Sequence, residues 1–171
     1  SRRKQVNLDW VNLNEHILEI INIHRARAEE KELELTFIED DQLPTIYADG
    51  KQLKDLVNIL LVNAFAYTTE GSIKLCTSYD NENDKVQITV EDTGQGITAE
   101  DLPHIFSPLY RGEGASQSNI PGIGLGLTTA AEIARIHQGK IEVSHTARGE
   151  GTTFVVSLPR QANPDIITTE G

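Results

Sequence analysis

The chain has 171 residues, the length of one globular domain, and it is strongly acidic. Its 15 basic and 26 acidic residues give a formal net charge of −11, which argues against nucleic acids and anionic membrane surfaces as partners. The chain has no apolar run of membrane-spanning length and does not open with a secretory signal, so we expect a cytoplasmic domain without direct membrane contact. A single cysteine, Cys76, excludes an internal disulfide.

Alternating and helical patterns of apolar residues predict short strands and three longer helices. Asn12 and Glu15 form a capping-box pair before the first helix, and Asp49 can cap the second. The predicted elements are a strand over 5–9, a helix over 13–31, a strand over 33–38, a helix over 50–67, strands over 72–79 and 85–91, a short helix over 99–105, a helix over 121–137, and strands over 140–144 and 152–158.

These elements predict an α+β fold, because strands outnumber helices and several strands follow one another as hairpins. We expect a two-layer sandwich in which a mixed, mostly antiparallel sheet packs against three helices. Residues 1–160 would form a single domain, with 1–4 as the end of an upstream connection. Residues 161–171 would form a flexible tail. Because the chain contains no methionine, we expect Ser1 to lie within a longer protein.

Two polar features could carry chemistry, and each has a purely structural alternative. Asn63 lies inside a predicted helix, where its amide oxygen could hold a hydrated Mg²⁺ or simply face solvent at the helix edge. Asp92 follows a strand and precedes Gly94 and Gly96. Its carboxylate could accept a hydrogen bond from an exocyclic amine beside a flat ring, or it could simply end the strand in a turn.

A third feature is a set of alternate glycines, Gly122, Gly124 and Gly126, at the start of the last predicted helix. The free backbone N–H groups of a helix start form a site for anions, and the alternative is a flexible hinge. The motif is not a Walker loop, because no Gly-Lys-Ser/Thr follows. A polar loop rather than a strand precedes it, which also argues against a dinucleotide-binding fold.

Together, in this order, the three features resemble the catalytic and ATP-binding domain of bacterial sensor histidine kinases, which has the Bergerat ATP-binding fold. The resemblance covers about residues 5–159. Five segments are similar to the family's N box, first glycine box, F box, second glycine box and closing Gly-Thr element. They are, in this order, residues 53–68, 90–97, 105–111, 122–127 and 151–154.

The resemblance implies ATP and Mg²⁺ as ligands. Asp92 would bind the adenine amino group with Thr152 nearby, Tyr67 and Ile97 would pack on the base, and Asn63 would hold Mg²⁺ between the phosphates. Arg111 would approach the γ-phosphate, helix amides would receive the phosphates, and residues 99–120 would form a lid. The implied nucleotide-binding residues are Asn63, Tyr67, Asp92, Gly94, Gly96, Ile97, Tyr110, Arg111, Gly122, Gly124, Leu125, Gly126, Leu127 and Thr152, with Asn63 and Arg111 as the catalytic pair.

The N box departs from the family pattern at two positions. Ile59 stands where the family usually has Asn, and Ala66 stands where it usually has Lys, Arg or His. A missing charged contact to phosphate costs about 1.5–3 kcal/mol, so we expect nucleotide binding with weakened phosphotransfer. In the F box, Leu109 replaces a common Phe.

The resemblance implies an ATP-dependent protein histidine kinase domain. None of the 5 histidines has the neighbours of the family's phosphoacceptor, so the acceptor would lie in the protein's own upstream dimerisation domain, for relay to a response regulator. The full-length protein would be a homodimer, and this chain alone a monomer. The alternatives are a non-catalytic nucleotide-binding or interaction module, a related Bergerat ATPase, or an anti-sigma serine kinase.

Overall fold

The computed structural model describes residues 5–108 and 123–162, except for the side chains of 123–125. The helices are α1 (Leu13–Glu30), α2 (Gly50–Tyr67) and α3 (Ile123–Ile136), and a 3₁₀ turn spans Leu102–His104. The strands are β1 (Asp9–Val11), β2 (Glu34–Ile38), β3 (Ile46–Ala48), β4 (Ser72–Asp80), β5 (Lys85–Asp92), β6 (Lys140–Ala147) and β7 (Gly151–Pro159).

Five of the strands form one mixed sheet in the order β2-β4-β5-β7-β6. β2 pairs with β4 in parallel, and the other neighbours in the sheet are antiparallel. β1 and β3 form a separate antiparallel pair. The predicted α+β class is therefore confirmed, with a mostly antiparallel sheet against three helices.

The core lies between this sheet and the helices, because alternate strand residues point to the helical layer. On the central strands β4, β5 and β7 these residues are almost completely buried, and they meet the apolar face of α2. The central residues are Ile73, Leu75, Val86, Ile88, Val90, Phe154, Val156, Leu53, Leu56, Leu60 and Leu61.

The predicted boundaries differ from the structure in three places. The first strand is β1 (Asp9–Val11) rather than 5–9, and its partner β3 was not predicted, because three residues are too few for a period-2 pattern. The short helix over 99–105 is only a 3₁₀ turn. Gln161 bridges to Tyr47 and Ala162 is buried, so ordered contacts continue past residue 160, where the predicted tail begins; residues 163–171 lie outside the described part.

His137 ties the end of α3 to the start of α2. Asp49 caps α2 by accepting a hydrogen bond from the Gln52 N–H at 3.1 Å. The Asp49 N–H itself donates to His137 Nε2 at 3.0 Å, and His137 Nδ1 lies 2.8 Å from the Ile133 carbonyl oxygen. Because Nε2 must accept, the buried ring is neutral and carries its proton on Nδ1.

We expect His137 to make the domain less stable in mild acid. Burial lowers the pKa of His137, although the Ile133 carbonyl and the Asp49 carboxylate oppose this shift. At residue 137 the unfolded chain therefore binds a proton more readily than the folded domain. The contribution of the neutral His137 to the free energy of unfolding is complete above the unfolded pKa of about 6.5. It is lost as the pH falls below that value, by at most about 1.4 kcal/mol per pH unit.

Urea unfolding of the wild type and of His137→Gln from pH 8 down to about pH 5.5 measures this contribution. The difference between their free energies of unfolding should shrink towards the acidic end, because only the wild type can take up the proton. A difference that stays constant with pH would contradict the assignment.

Candidate nucleotide-binding site

Four of the predicted site residues, Tyr67, Asp92, Gly94 and Thr152, lie together where the end of α2 meets the adjacent ends of β5 and β7. Asp92 at the end of β5 pairs with Thr152 at the start of β7. The loop after β5 returns to α2, because the Gln95 N–H donates to the Tyr67 carbonyl oxygen at 3.2 Å. The start of α3 lies against α2, where Gly126 approaches Ile59.

Asp92 is a buried residue with one uncommitted carboxylate oxygen. The residue is 4% exposed. Its Oδ1 accepts hydrogen bonds from the Gly94 N–H at 2.9 Å and from the Thr152 N–H at 3.2 Å. Its Oδ2 accepts no hydrogen bond from the described residues. Burial raises the pKa of Asp92, and the two backbone hydrogen bonds oppose the shift. Such an oxygen can accept one directed hydrogen bond from an amine.

A chain of hydroxyl groups links Asp92 to Ile97. The Thr152 hydroxyl lies 3.0 Å from the Thr146 hydroxyl, and the Thr146 oxygen accepts the Ile97 N–H at 2.9 Å. Sequence reasoning missed Thr146. A signal was available, because Thr146 and Thr152 face each other across the hairpin of β6 and β7, whose turn contains Gly149.

Gly94 and Gly96 are required by the protein's own backbone. A Cβ on Gly94 would lie 2.4 Å from the Tyr67 carbonyl oxygen, and one on Gly96 would lie 2.3 Å from the Ala147 carbonyl oxygen. Gly96 also has a φ of +81°, which other residues rarely adopt. The glycines thus allow the loop to pass between α2 and the β6–β7 hairpin, a role distinct from the predicted approach to a flat ring.

Tyr67, the last residue of α2, contacts the loop that follows Asp92 through its carbonyl oxygen. Burial raises its pKa to about 12, and the nearby carboxylates of Asp101 and Asp92 contribute to the rise. The phenol therefore keeps its proton at neutral pH and can donate a hydrogen bond. Ile97 is partly buried and packs against the core.

Asn63 is buried, which excludes the alternative of a solvent-facing amide. The residue is 7% exposed, and its Nδ2 has no hydrogen-bond partner among the described residues. An amide oxygen is a suitable ligand for Mg²⁺, and no described residue donates a hydrogen bond to the Asn63 Oδ1. The described ranges contain no cluster of three or more His, Cys, Asp or Glu side chains that could hold a metal.

The glycine motif and the F box are only partly described. α3 begins at Ile123, so the amides of its first turn, including those of Gly124, Leu125 and Gly126, lie at a helix N-terminus. Leu127 is buried. Gly122, Tyr110 and Arg111 lie outside the described residues, as does Leu109.

The described half of the F box is anchored to the domain. Phe106 packs edge-on against Phe154 of β7, with ring centroids 6.2 Å apart, and its carbonyl oxygen accepts a hydrogen bond from the Thr128 hydroxyl of α3 at 3.3 Å. The segment that leads from the 3₁₀ turn towards residue 109 is therefore held against the sheet and α3.

Comparison with known proteins assigns the chain to one family. Residues 48–162 match the family of histidine kinase-, DNA gyrase B- and HSP90-like ATPases, and the chain belongs to that family. Relatives that are named sensor kinases match it over most of its length, so it is an ATP-binding catalytic domain of the histidine kinase type.

Individual relatives are similar over most of the chain. The adaptive-response sensory kinase SasA of Synechococcus elongatus is 35% identical over 86% of this chain and 36% of its own length. The sensor histidine kinase ZraS of Salmonella typhimurium is 32% identical over 90% of this chain and 32% of its own length. The non-motile and phage-resistance protein of Caulobacter vibrioides is 31% identical over 98% of this chain and 20% of its own length.

Two solved structures have the same fold. Full-length ShkA in complex with AMPPNP superposes with a TM-score of 0.79 at 25% identity, over 96% of this chain and 34% of that one. The catalytic domain of the histidine kinase ThkA gives a TM-score of 0.77 at 26% identity, over 91% of this chain and 97% of that one. The chain spans well under half the length of the curated relatives named above. Among the described residues, no helix is long and apolar enough to cross a membrane.

Proposed function

We propose that this domain transfers the γ-phosphate of ATP to a histidine on an upstream dimerisation domain of the same protein, for relay to a response regulator. The observation that carries the proposal is the buried Asp92 with its uncommitted Oδ2. No hydrogen-bond donor of the described residues occupies this oxygen, so it is available to a ligand, and the exocyclic amino group of adenine is a suitable donor.

At the base end of the site, Asp92 Oδ2 accepts the adenine amino group. Thr152 fixes the carboxylate through its N–H, and the hydroxyl chain through Thr146 holds Ile97 beside the base. Tyr67 packs on the ring from α2. The close backbone packing at Gly94 and Gly96 keeps this pocket rigid.

At the phosphate end, the Asn63 amide oxygen would hold Mg²⁺, and the bound ion would neutralise phosphate charge. The amides at the start of α3 receive the phosphates. We assign the γ-phosphate contact to Arg111 from the F-box resemblance alone, since this residue lies outside the described part of the chain. These groups explain how a chain with a net charge of −11 holds a polyanion. In the transfer, a bond from the acceptor imidazole nitrogen to phosphorus forms as the bond to the bridging oxygen of ADP breaks, so catalysis consists mainly of positioning and charge neutralisation.

A phosphotransfer assay tests the proposal. The chain is mixed with γ-labelled ATP, Mg²⁺ and the dimerisation domain that precedes it in the full-length protein. We expect label on the acceptor domain and none on a variant whose acceptor histidine is replaced by Gln. Nucleotide binding without any transfer would instead support a non-catalytic nucleotide-binding module, the second candidate, which Ile59 and Ala66 favour.

Restoring a basic side chain at position 66 should strengthen triphosphate binding. Ala66 is one helical turn past Asn63 and only partly buried, so a Lys there has room to extend. A charged hydrogen bond contributes about 1.5–3 kcal/mol, so Ala66→Lys should tighten MgATP by about tenfold or more and ADP by less.

Calorimetric titration with MgATP and with ADP measures the effect, and Ala26→Lys is the matched control. Ala26 is exposed on α1, so this variant adds the same charge away from α2. An equal gain for ATP and ADP in Ala66→Lys, or the same gain in Ala26→Lys, would contradict a contact with the γ-phosphate.

A further inference from the structure

Gly126 in the first turns of α3 is not explained by its backbone conformation. It is helical and is not among the glycines with a positive φ. Glycine is a poor helix former compared with alanine, so a helical glycine needs another reason. Among the described residues, a Cβ at Gly126 would meet a single side-chain atom, Cγ2 of Ile59, at 3.3 Å. The glycine therefore makes room for Ile59.

Ile59 lies on the same face of α2 as Asn63, one turn earlier. It is partly buried and packs against the core. A β-branched side chain in a helix has essentially one χ1 rotamer, so the Cγ2 methyl cannot rotate away from α3. The contact between Ile59 and Gly126 thus acts as a rigid spacer between α2 and the first turns of α3.

We propose that Ile59 is a positioning residue that sets the distance between Asn63 and the N-terminal turn of α3, and thereby the preference of the site for the triphosphate. The inference rests on the proposed function, because it assumes that the phosphates lie between Asn63 and the helix amides. Hydrogen bonds from amides weaken steeply when their geometry changes. A shift of a few tenths of an ångström between Ile59 and Gly126 should therefore weaken the hydrogen bonds from the α3 amides to the phosphates.

The first test adds one methyl group to the spacer. In Gly126→Ala the new Cβ lies 3.3 Å from Ile59 Cγ2, so the Ile59 side chain, together with the helix that carries it, must shift by a few tenths of an ångström. Calorimetric titration with MgATP, MgADP and adenosine should show MgATP weakened by about tenfold, MgADP by less and adenosine not at all. Circular dichroism melting verifies that the variant is folded.

The second test identifies the atom responsible. Ile59→Leu removes the Cγ2 branch and keeps the volume, whereas Ile59→Val keeps Cγ2 and removes only the terminal methyl. Each Ile59 substitution is combined with Gly126→Ala in a double variant. We expect the ratio of MgATP to MgADP affinity to return to its wild-type value when Gly126→Ala is combined with Ile59→Leu, and to stay altered when it is combined with Ile59→Val. If Ile59 had a merely structural role, its variants would change the melting temperature, and neither double variant would selectively regain the wild-type affinity ratio.

Each failure has a different meaning. A wild-type chain that binds none of the three compounds overturns the proposed function and this inference with it. A wild-type chain that binds ATP, with an unchanged ratio in Gly126→Ala or with rescue by both Ile59 variants, overturns the inference alone. If Gly126→Ala does not fold, the single variants decide, because Ile59→Leu should alter the MgATP-to-MgADP ratio and Ile59→Val should not.

Discussion

Asp92→Asn is expected to weaken ATP and ADP binding alike, by about one to two orders of magnitude. The amide can keep an oxygen towards the Gly94 and Thr152 N–H groups, which donate to Oδ1 in the wild type. Its NH₂ group then replaces Oδ2 and faces the adenine amino group, donor against donor. Because both nucleotides carry the same base, the loss should not depend on phosphate number or on Mg²⁺.

This loss should occur without unfolding. Burial raises the pKa of Asp92, which means that the folded environment disfavours the charged form of its carboxylate. Removing the charge should therefore leave the melting temperature unchanged or raise it. The control is Glu91→Gln, which removes the same charge one residue earlier from an exposed carboxylate that faces Lys74 at 3.5 Å.

Calorimetric titration of both variants with ATP and ADP decides the point. Wild-type affinity in Glu91→Gln with a loss in Asp92→Asn would place the amino-group contact at Asp92. A loss for ATP that spares ADP would mean that Asp92 acts at the phosphate end, and an unchanged Asp92→Asn would mean that the adenine lies elsewhere.

Asn63→Ala is expected to weaken MgATP by about tenfold or more and to leave metal-free ATP nearly unaffected. The substitution removes the one amide oxygen that we assign to the ion. It also removes the buried Nδ2, which has no hydrogen-bond partner in the described structure, so the variant loses little native hydrogen bonding. Titration with ATP in the presence of Mg²⁺ and of EDTA measures the difference.

Asn58→Ala is the matched control on the same helix. Asn58 Oδ1 lies 2.6 Å from Nε2 of the buried His24, so its loss should lower stability, by about 1 kcal/mol, without changing the effect of Mg²⁺ on ATP binding. The assignment of Asn63 is wrong if its variant loses equal affinity with and without Mg²⁺, or if Asn58→Ala loses the Mg²⁺ dependence as well.

The sequence by itself determined the elements whose signals are local. The cap at Asp49 and the apolar spacing after it predicted α2 at its observed bounds, Gly50–Tyr67, because both signals lie within the helix. The hairpin of β4 and β5 was also predicted, because apolar and polar residues alternate along its strands and its turn is polar. The fold class followed from the number and order of strands and helices, and the family followed from the resemblance of the motifs, which also implied ATP as the ligand.

Only the tertiary structure decided how the site residues are held, because their partners are distant in sequence. The pairing of β5 with β7 brings Thr152, 60 residues away in sequence, to Asp92. The Thr152 N–H binds Oδ1 of the carboxylate and leaves Oδ2 free. Thr146 joins the site through the same register. β1 and β3 have three residues each and are separated in sequence by α1 and β2, so no local pattern predicts that they pair. The approach of Ile59 to Gly126 depends on how α2 packs against α3, which no periodicity in either helix specifies.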